Sequence, residues 1–234
     1  MMSKLRTIIL LSCFCCMPMA NAGKTNVKSP DGRISVGFSL DRKGRPCYSV
    51  SYGDKDIIRP SCMGFELSDG TSLSDGFRIK KITRERCDSL WTPVWGENDS
   101  IRENYNGMTV SLSKNKTRMD IEFRVFDDGM GFRYVFREHP DPVLVLKEEV
   151  TEFAMTGNHT AWWIPEDYDS QEFEYTESLL DEIGAPGVQT SLMMKADNGI
   201  YLNLHEAALV DFPAMHLRID KPSKVFRAHL TPRP

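Results

Sequence analysis

The sequence predicts an all-β protein, a large antiparallel β-super-sandwich with at most one or two short helices. Segments in which apolar and polar residues alternate recur along the chain, as expected for strands with one buried face. Turn signals rich in Gly, Asn and Asp separate these segments. Helical periodicity is scarce, and no strand–helix–strand rhythm suggests a parallel sheet.

The predicted strands follow one another at short intervals. They cover residues 34–40, 47–53, 63–70, 76–82, 108–126, 131–138, 188–206 and 225–230. Two of these ranges are long enough to be hairpins, 108–126 around the turn KNKT and 188–206 around the turn ADNG. Only residues 174–184, EYTESLLDEIG, favour a short helix. So many strands imply larger sheets than those of an immunoglobulin-type domain.

Residues 1–22 have the pattern of a secretory signal peptide. Lys4 and Arg6 precede the apolar run 8–16, and Ala20-Asn21-Ala22 supplies a small-x-small cleavage site. The apolar run is too short to span a bilayer. Cys13 lies in mid-run, so lipidation is the less favoured alternative. We therefore expect an exported chain whose residues 23–234 form one domain.

Charge and cysteine content exclude two function classes. Without the leader, 27 basic and 33 acidic residues leave a net charge of −6, and no basic stripe is present to hold a nucleic-acid backbone. Cys47, Cys62 and Cys87 remain, an odd number without a CxxC pair, which argues against a zinc site. At most one disulfide can form, and free thiols are equally open.

Two stretches, 88–107 and 161–176, combine aromatic residues with carboxylates. Such a mixture suits a sugar, because aromatic faces stack on C–H groups and carboxylates accept hydrogen bonds from hydroxyls. The alternative, which composition alone favours, is that these aromatics close the ends of a sandwich.

Motifs for nucleophilic, nucleotide-dependent or zinc-dependent catalysis are missing from the sequence. The segment YLNLHE ends on Glu206 just where its alternation breaks. Glu206 has three interpretations: a surface carboxylate, a catalytic acid or base, or a metal ligand. A hard cation needs several oxygen ligands, so chemistry alone favours the surface carboxylate and leaves the others open.

Six stretches together resemble the N-terminal domain of glycoside hydrolase family 97. They are residues 29–41, 92–107, 122–136, 162–176, 187–217 and 230–234, in the family's order and over nearly the whole mature chain. They are most similar to the calcium-dependent, inverting α-glucosidase branch of bacterial starch utilisation, and less so to the retaining α-galactosidase branch.

This resemblance implies a β-super-sandwich similar to galactose mutarotase, followed in a complete enzyme by a (β/α)₈ barrel and a small β domain. A barrel needs about 250 residues, so the catalytic residues would lie on a barrel outside this chain. The chain alone is then expected to be inactive. The implied substrate is an α-glucan or maltooligosaccharide, and the implied location is the periplasm of a Gram-negative bacterium.

The family's calcium-ligating glutamate corresponds to Glu206, with His205 and Asp211 as supporting neighbours. The ion would be completed by glutamates of the barrel. Candidates for substrate binding or for the barrel interface are Trp95, Glu97, Trp162 and Trp163. One departure is that Ile183–Pro186 closes a gap where better-known members have an insertion.

Two other functions compete with this one. A stand-alone carbohydrate-binding module would use the surfaces around Trp91 and Trp95 or around Trp162 and Trp163. A mutarotase-like epimerase would need an acid/base pair in a concave sheet, and fold alone cannot support it.

Overall fold

The computed structural model describes residues 24–210 and 212–231, which form nineteen strands and one short 3₁₀ helix. The predicted signal peptide and Asp211 therefore lie outside the described residues. The strands are β1 Thr25–Lys28, β2 Ile34–Leu40, β3 Pro46–Tyr52, β4 Lys55–Cys62, β5 Phe65–Leu67, β6 Ser72–Leu73, β7 Arg78–Trp91, β8 Ile101–Lys114, β9 Thr117–Val125, β10 Met130–Glu138, β11 Leu146–Glu149, β12 Glu152–Met155, β13 Thr160–Trp163, β14 Thr176–Leu179, β15 Val188–Gln189, β16 Leu192–Lys195, β17 Tyr201–Leu204, β18 Met215–Asp220 and β19 Val225–Leu230. No helix within the described ranges is long and apolar enough to cross a membrane.

The strands form four antiparallel sheets. The large sheet has the order β1-β2-β3-β4-β12-β19-β18-β15, and the hairpin sheet has the order β10-β9-β8-β7. The short sheet is β11-β5-β6, and the tryptophan sheet is β14-β13-β16-β17. The predicted all-β antiparallel sandwich is confirmed.

Alternation within the strands explains how the layers pack. In β2, Val36 and Phe38 are buried, and in β9 Ile121 and Phe123 are buried. Phe38 meets Phe123 with ring centroids 6.0 Å apart. These contacts place the hydrophobic core between the large sheet and the hairpin sheet.

The same core continues under the tryptophan sheet. Trp163 and Met194 of that sheet and Leu217 and Phe226 of the large sheet belong to one buried cluster. Because one core reaches all four sheets, the exposed residues of the tryptophan sheet lie on strands that pack on that core.

The helix predicted over 174–184 was wrong over its first half. Residues Thr176–Leu179 form β14, which pairs with β13, and only Leu180–Glu182 form a 3₁₀ turn. Pairing with a neighbouring strand satisfies the backbone N–H and C=O groups of this segment, which is too short to be stable as an isolated helix. Leu180 and Ile183 are buried, so packing and pairing together override the local helical preference.

Two other predicted segments have different lengths in the structure. β7 continues to Trp91 instead of stopping near residue 82, and it pairs with β8 as far as Ile101. The predicted 188–206 hairpin contains three strands, since β15 joins the large sheet before β16 and β17 form the hairpin. The turn between β16 and β17 contains Gly199 at φ 82°, as the ADNG signal predicts.

Candidate functional site at the end of strand β17

Glu206 lies two residues beyond the end of β17 and is half-buried. The Thr190 hydroxyl lies 3.5 Å from Glu206 Oε2, but it is closer to the Met215 carbonyl oxygen, at 3.2 Å. A contact of 3.5 Å is at the limit of a hydrogen bond. Within the described ranges, no ion pair joins Glu206 to a cation. The carboxylate is therefore only weakly held.

A second carboxyl group, Glu149 at the end of β11, lies within electrostatic range of Glu206. Glu149 is only 8% exposed. Burial first, and then the negative charge of Glu206, raise the pKa of Glu149 to about 7, although the hydrogen bond from Thr151 opposes the shift. Glu149 is thus mostly protonated below about pH 7, and the charge of Glu206 favours that neutral form.

Glu149 is held by a short chain of hydroxyl groups. The Thr151 hydroxyl donates to Glu149 Oε1 at 2.5 Å, and Tyr134 Oη lies 2.6 Å from the same hydroxyl oxygen. Burial also raises the pKa of Tyr134 well above its usual value. The network keeps the buried carboxyl in one position beneath the surface.

Sequence reasoning missed Glu149, because it lies outside the predicted strands and simple alternation from Leu146 would place it on the exposed face. β11 is irregular between Leu146 and Glu148 when it pairs with β5. The extra residue in such a bulge reverses the inside and outside positions that follow. Glu149 therefore lies opposite buried Phe65, and only the acidic pair Glu148-Glu149 hints at it in the sequence.

The carboxylate oxygens near the end of β17 could fill only part of the coordination shell of a cation. Two carboxyl groups that repel each other favour a positive ion between or beside them, and oxygen ligands suit calcium. However, no three His, Cys, Asp or Glu side chains within residues 24–210 and 212–231 converge to hold a metal. His205 is exposed, and Asp211 lies outside the described residues. The residues that the structure describes therefore contain at most part of a cation site.

The loop after Glu206 exposes apolar side chains. Leu209, Val210 and Phe212 are all exposed. A weakly held carboxylate beside exposed apolar residues is typical of a surface that another protein domain covers.

The two neighbouring tryptophans of β13 face opposite ways. Trp163 is 8% exposed, belongs to the core and donates its indole N–H to Ser178 Oγ at 2.9 Å. Trp162 faces outward, donates to Glu177 Oε2 at 2.9 Å and stacks on Tyr201 with centroids 6.3 Å apart and planes at 20°. Of the two, only Trp162 offers a face to a ligand.

Trp95 and Glu97 lie far out on an arm that we define as residues 88–104. β9 pairs with β8 only as far as Asn106, so beyond that point β7 and β8 form a two-stranded ribbon. Trp95 is 89% exposed at its tip, and Glu97 is exposed as well.

A further polar cluster forms where residues 161–176 cross the large sheet. Tyr168 stacks on His216 with centroids 5.1 Å apart, and Tyr168 Oη lies 3.0 Å from His229 Nε2. The carboxylate in this cluster, Glu166, is bound at two points by Arg218, at 2.8 and 3.1 Å, which lowers its pKa. A carboxylate neutralised in this way is a poor general base for an epimerase.

These observations define an all-β sandwich domain that presents a carboxylate and aromatic rings at its surface. The family model described as Glycosyl-hydrolase 97 N-terminal matches residues 27–232. The chain belongs to this family.

Solved structures agree with that assignment. The chain superposes on a glycoside hydrolase family 97 enzyme from Pseudoalteromonas sp. strain K8, in complex with acarbose, with a TM-score of 0.83 and 33% identity. The match covers 89% of this chain and 32% of the enzyme. A β-arabinopyranosidase shares the fold, with a TM-score of 0.80 at 19% identity, over 88% of this chain and 35% of that one.

A retaining α-galactosidase of Bacteroides thetaiotaomicron is 24% identical over an alignment of 224 residues, and the match covers 90% of this chain and 33% of the relative. The chain therefore spans about a third of the length of the relatives it matches.

Proposed function

We propose that this chain is the N-terminal domain of an exported α-glucosidase that acts on α-glucans or maltooligosaccharides. In this proposal Glu206 supplies one calcium ligand to an active site whose other groups lie on a (β/α)₈ barrel. The observation behind it is the weakly held carboxylate at the end of β17, next to the buried carboxyl of Glu149 and beside exposed Leu209 and Val210.

Family membership supports the first part of the proposal. The relatives are about three times as long as this chain, so a catalytic domain beyond the sandwich is consistent with their length. Apolar residues exposed next to Glu206 suit contact with such a domain, because a neighbouring domain would remove them from water.

Sequence identity favours α-glucosidase over α-galactosidase. The chain is 33% identical to the Pseudoalteromonas enzyme, which has been solved with acarbose and, as a variant, with panose. Its identity to the retaining α-galactosidase is 24%. Panose is built of glucose, so the higher identity goes with a glucose-containing ligand.

Calcium bound at Glu206 would polarise or orient substrate and water. The chain's own contribution is to position the carboxylate. β17 leads to it, the Thr190 hydroxyl lies 3.5 Å from it, and the carboxyl of Glu149 is near enough for the two charges to repel each other. One carboxylate cannot replace a shell of six or more oxygens, so this domain alone should bind calcium weakly.

The substrate is tested by hydrolysis of p-nitrophenyl α-glucoside and p-nitrophenyl α-galactoside, with the 234-residue chain and with a complete enzyme in which this domain precedes its barrel. We expect no turnover by the chain alone and a preference for the glucoside by the complete enzyme. Turnover by the chain alone would refute the proposal that the catalytic residues lie on a barrel. A preference for the galactoside would refute the assignment to the α-glucosidase branch.

The role of Glu206 is tested in the same complete enzyme with Glu206→Gln and, as a control, Asp54→Asn in the exposed turn between β3 and β4. We expect chelator-sensitive activity that Glu206→Gln lowers at least tenfold and that excess calcium partly restores. Asp54→Asn should keep the calcium dependence of the parent. Equal calcium dependence of Glu206→Gln and the parent would remove Glu206 from the ligand set.

A second candidate function, carbohydrate binding by the domain itself, is favoured by the stacked pair of Trp162 and Tyr201. Lys195 Nζ lies 5.5 Å from the Tyr201 ring centroid on the same outer face. Maltotetraose should change the tryptophan fluorescence of the chain, and Trp162→Phe or Tyr201→Ala should abolish the change. An unchanged spectrum up to millimolar sugar would exclude this function.

A further inference from the structure

Two of the three cysteines within the described residues face each other in the middle of the large sheet. Cys47 of β3 is the direct partner of Cys62 of β4, and their sulfur atoms are 4.0 Å apart. Cys87, on β7 of the hairpin sheet, is not part of this pair. The cysteines of the described ranges thus divide into a pair and a single thiol.

The backbone places this pair in the position that favours a cross-strand bond. The adjacent pair is hydrogen-bonded, since the Met63 N–H donates to the Pro46 carbonyl at 3.0 Å. Pair types alternate along antiparallel strands, so Cys47 and Cys62 form a non-hydrogen-bonded pair, in which Cα atoms approach to about 4.5 Å. The Cys62 N–H donates instead to Glu152 Oε2 at 3.1 Å. This spacing lies within the range of protein disulfides.

Both thiols lie on the outer face of the large sheet. Tyr48 and Ser61, the next residues along each strand, are buried in the opposite direction, whereas Cys47 and Cys62 are half-buried. An oxidant in solution can therefore reach the sulfur atoms without opening the core. The sulfurs need to approach by about 2 Å to reach bonding distance, which small side-chain rotations provide.

We propose that Cys47 and Cys62 are a built-in disulfide site that closes when the domain meets a disulfide oxidant. The thiolate of one cysteine attacks the oxidant's sulfur–sulfur bond, forms a mixed disulfide and releases one thiol. The other cysteine, as thiolate, then displaces the second thiol. Overall two S–H bonds break, one S–S bond forms, and the two electrons reduce the oxidant to two thiols.

The reaction should be slow without an enzyme. Burial, together with the neighbouring thiol of Cys62, raises the pKa of Cys47 to about 12, and exchange requires the thiolate. Incubation therefore has to last many hours, or a disulfide oxidoreductase has to be added, before equilibrium is judged.

The test is a peptide map of the 234-residue chain after equilibration with oxidised glutathione and quenching with N-ethylmaleimide at low pH. Trypsin cleaves after Lys43, Lys55 and Arg78 but not at the Arg-Pro bonds, so the two cysteines fall in separate peptides, 44–55 and 56–78. We expect these two peptides to be recovered as one disulfide-linked species that dithiothreitol separates.

Matched variants make the assignment specific. Cys47→Ser and Cys62→Ser should each abolish the link, and Cys87→Ser should leave it unchanged. Since the bond closes a loop between residues 15 apart, the oxidised chain should melt about 5 to 10 °C above the reduced chain.

Two results would overturn the proposal. One is recovery of both peptides separately alkylated from folded, fully equilibrated chain. The other is a link from either peptide to Cys87 or to the cysteines at 13, 15 and 16. Because the map is made on the unsubstituted chain, it decides the question even if a serine variant fails to fold.

Discussion

Residues 88–107 and 161–176 both combine tryptophans with carboxylates, and the fold uses them in different ways. The first stretch extends two strands of the hairpin sheet into an arm with Trp95 at its tip. The second runs through β13, which has strand neighbours on both sides and the core beneath it, so that Trp163 is buried and Trp162 lies against Tyr201. The number of neighbouring strands and the presence of a layer behind them decide whether a tryptophan is buried, exposed or stacked.

The largest expected effect is that of Trp163→Ala. Removing a buried indole leaves a cavity in the core and removes the hydrogen bond to Ser178 Oγ, so we expect a loss of about 3 to 5 kcal/mol in the free energy of unfolding. Urea denaturation followed by circular dichroism measures it. Trp95→Ala, at the arm's tip, is the matched control and should change stability by less than about 0.5 kcal/mol. Similar losses in the two variants would contradict the contrast between the stretches.

The second effect concerns a buried carboxyl. The pKa of Glu149 rises from 4.5 to about 7 on folding, so between these values the folded chain binds more protons than the unfolded chain. Stability is therefore fully present below about pH 4.5 and falls as pH rises to 7, by about 3 kcal/mol for this group.

Glu149→Gln should remove that part of the pH dependence, because the amide stays neutral. Denaturation midpoints between pH 4.5 and 8, measured with a chelator present, test this. The exposed Glu97→Gln on the arm is the control and should retain the parent's profile. A parallel pH profile for parent and Glu149→Gln would show that the carboxyl titrates normally.

A smaller effect is expected at the stacked pair. Trp162→Ala loses the hydrogen bond to Glu177 and the stacking on Tyr201, worth together about 1 to 2 kcal/mol. A double-mutant cycle with Tyr201→Ala separates the two, and we expect a coupling of about 0.5 to 1 kcal/mol. Strictly additive losses would show that the rings do not support each other.

The smallest expected effect is the free energy needed to open the arm locally. Backbone amides of residues 88–91 and 101–104 should exchange hydrogen for deuterium much faster than those of residues 107–114, because opening the ribbon removes little buried surface. Exchange followed by mass spectrometry on overlapping peptides resolves the two parts of β8. Equal protection along β8 would mean that the arm is as firmly held as the sheet.

Local signals predicted some features and missed others, for identifiable reasons. The turns at Asn115 and Gly199 were predictable because their residues favour positive φ. The helix predicted over 174–184 failed because its residues pair with β13. Glu149 was missed because it lies outside the predicted strands, and a bulge in β11 reverses the alternation that would otherwise apply there. Bulges leave no reliable mark in a single sequence.

Alternation, turn chemistry and family motifs are local properties of the chain, and they specify the all-β class, most strand positions and the family. Only contacts in three dimensions specify which of two adjacent tryptophans meets solvent, how far the arm extends beyond β9, that buried Glu149 is near Glu206, and that Cys47 faces Cys62. Those four outcomes depend on strand register and on contacts between residues far apart in the chain. Periodicity along one strand cannot specify its alignment with the next.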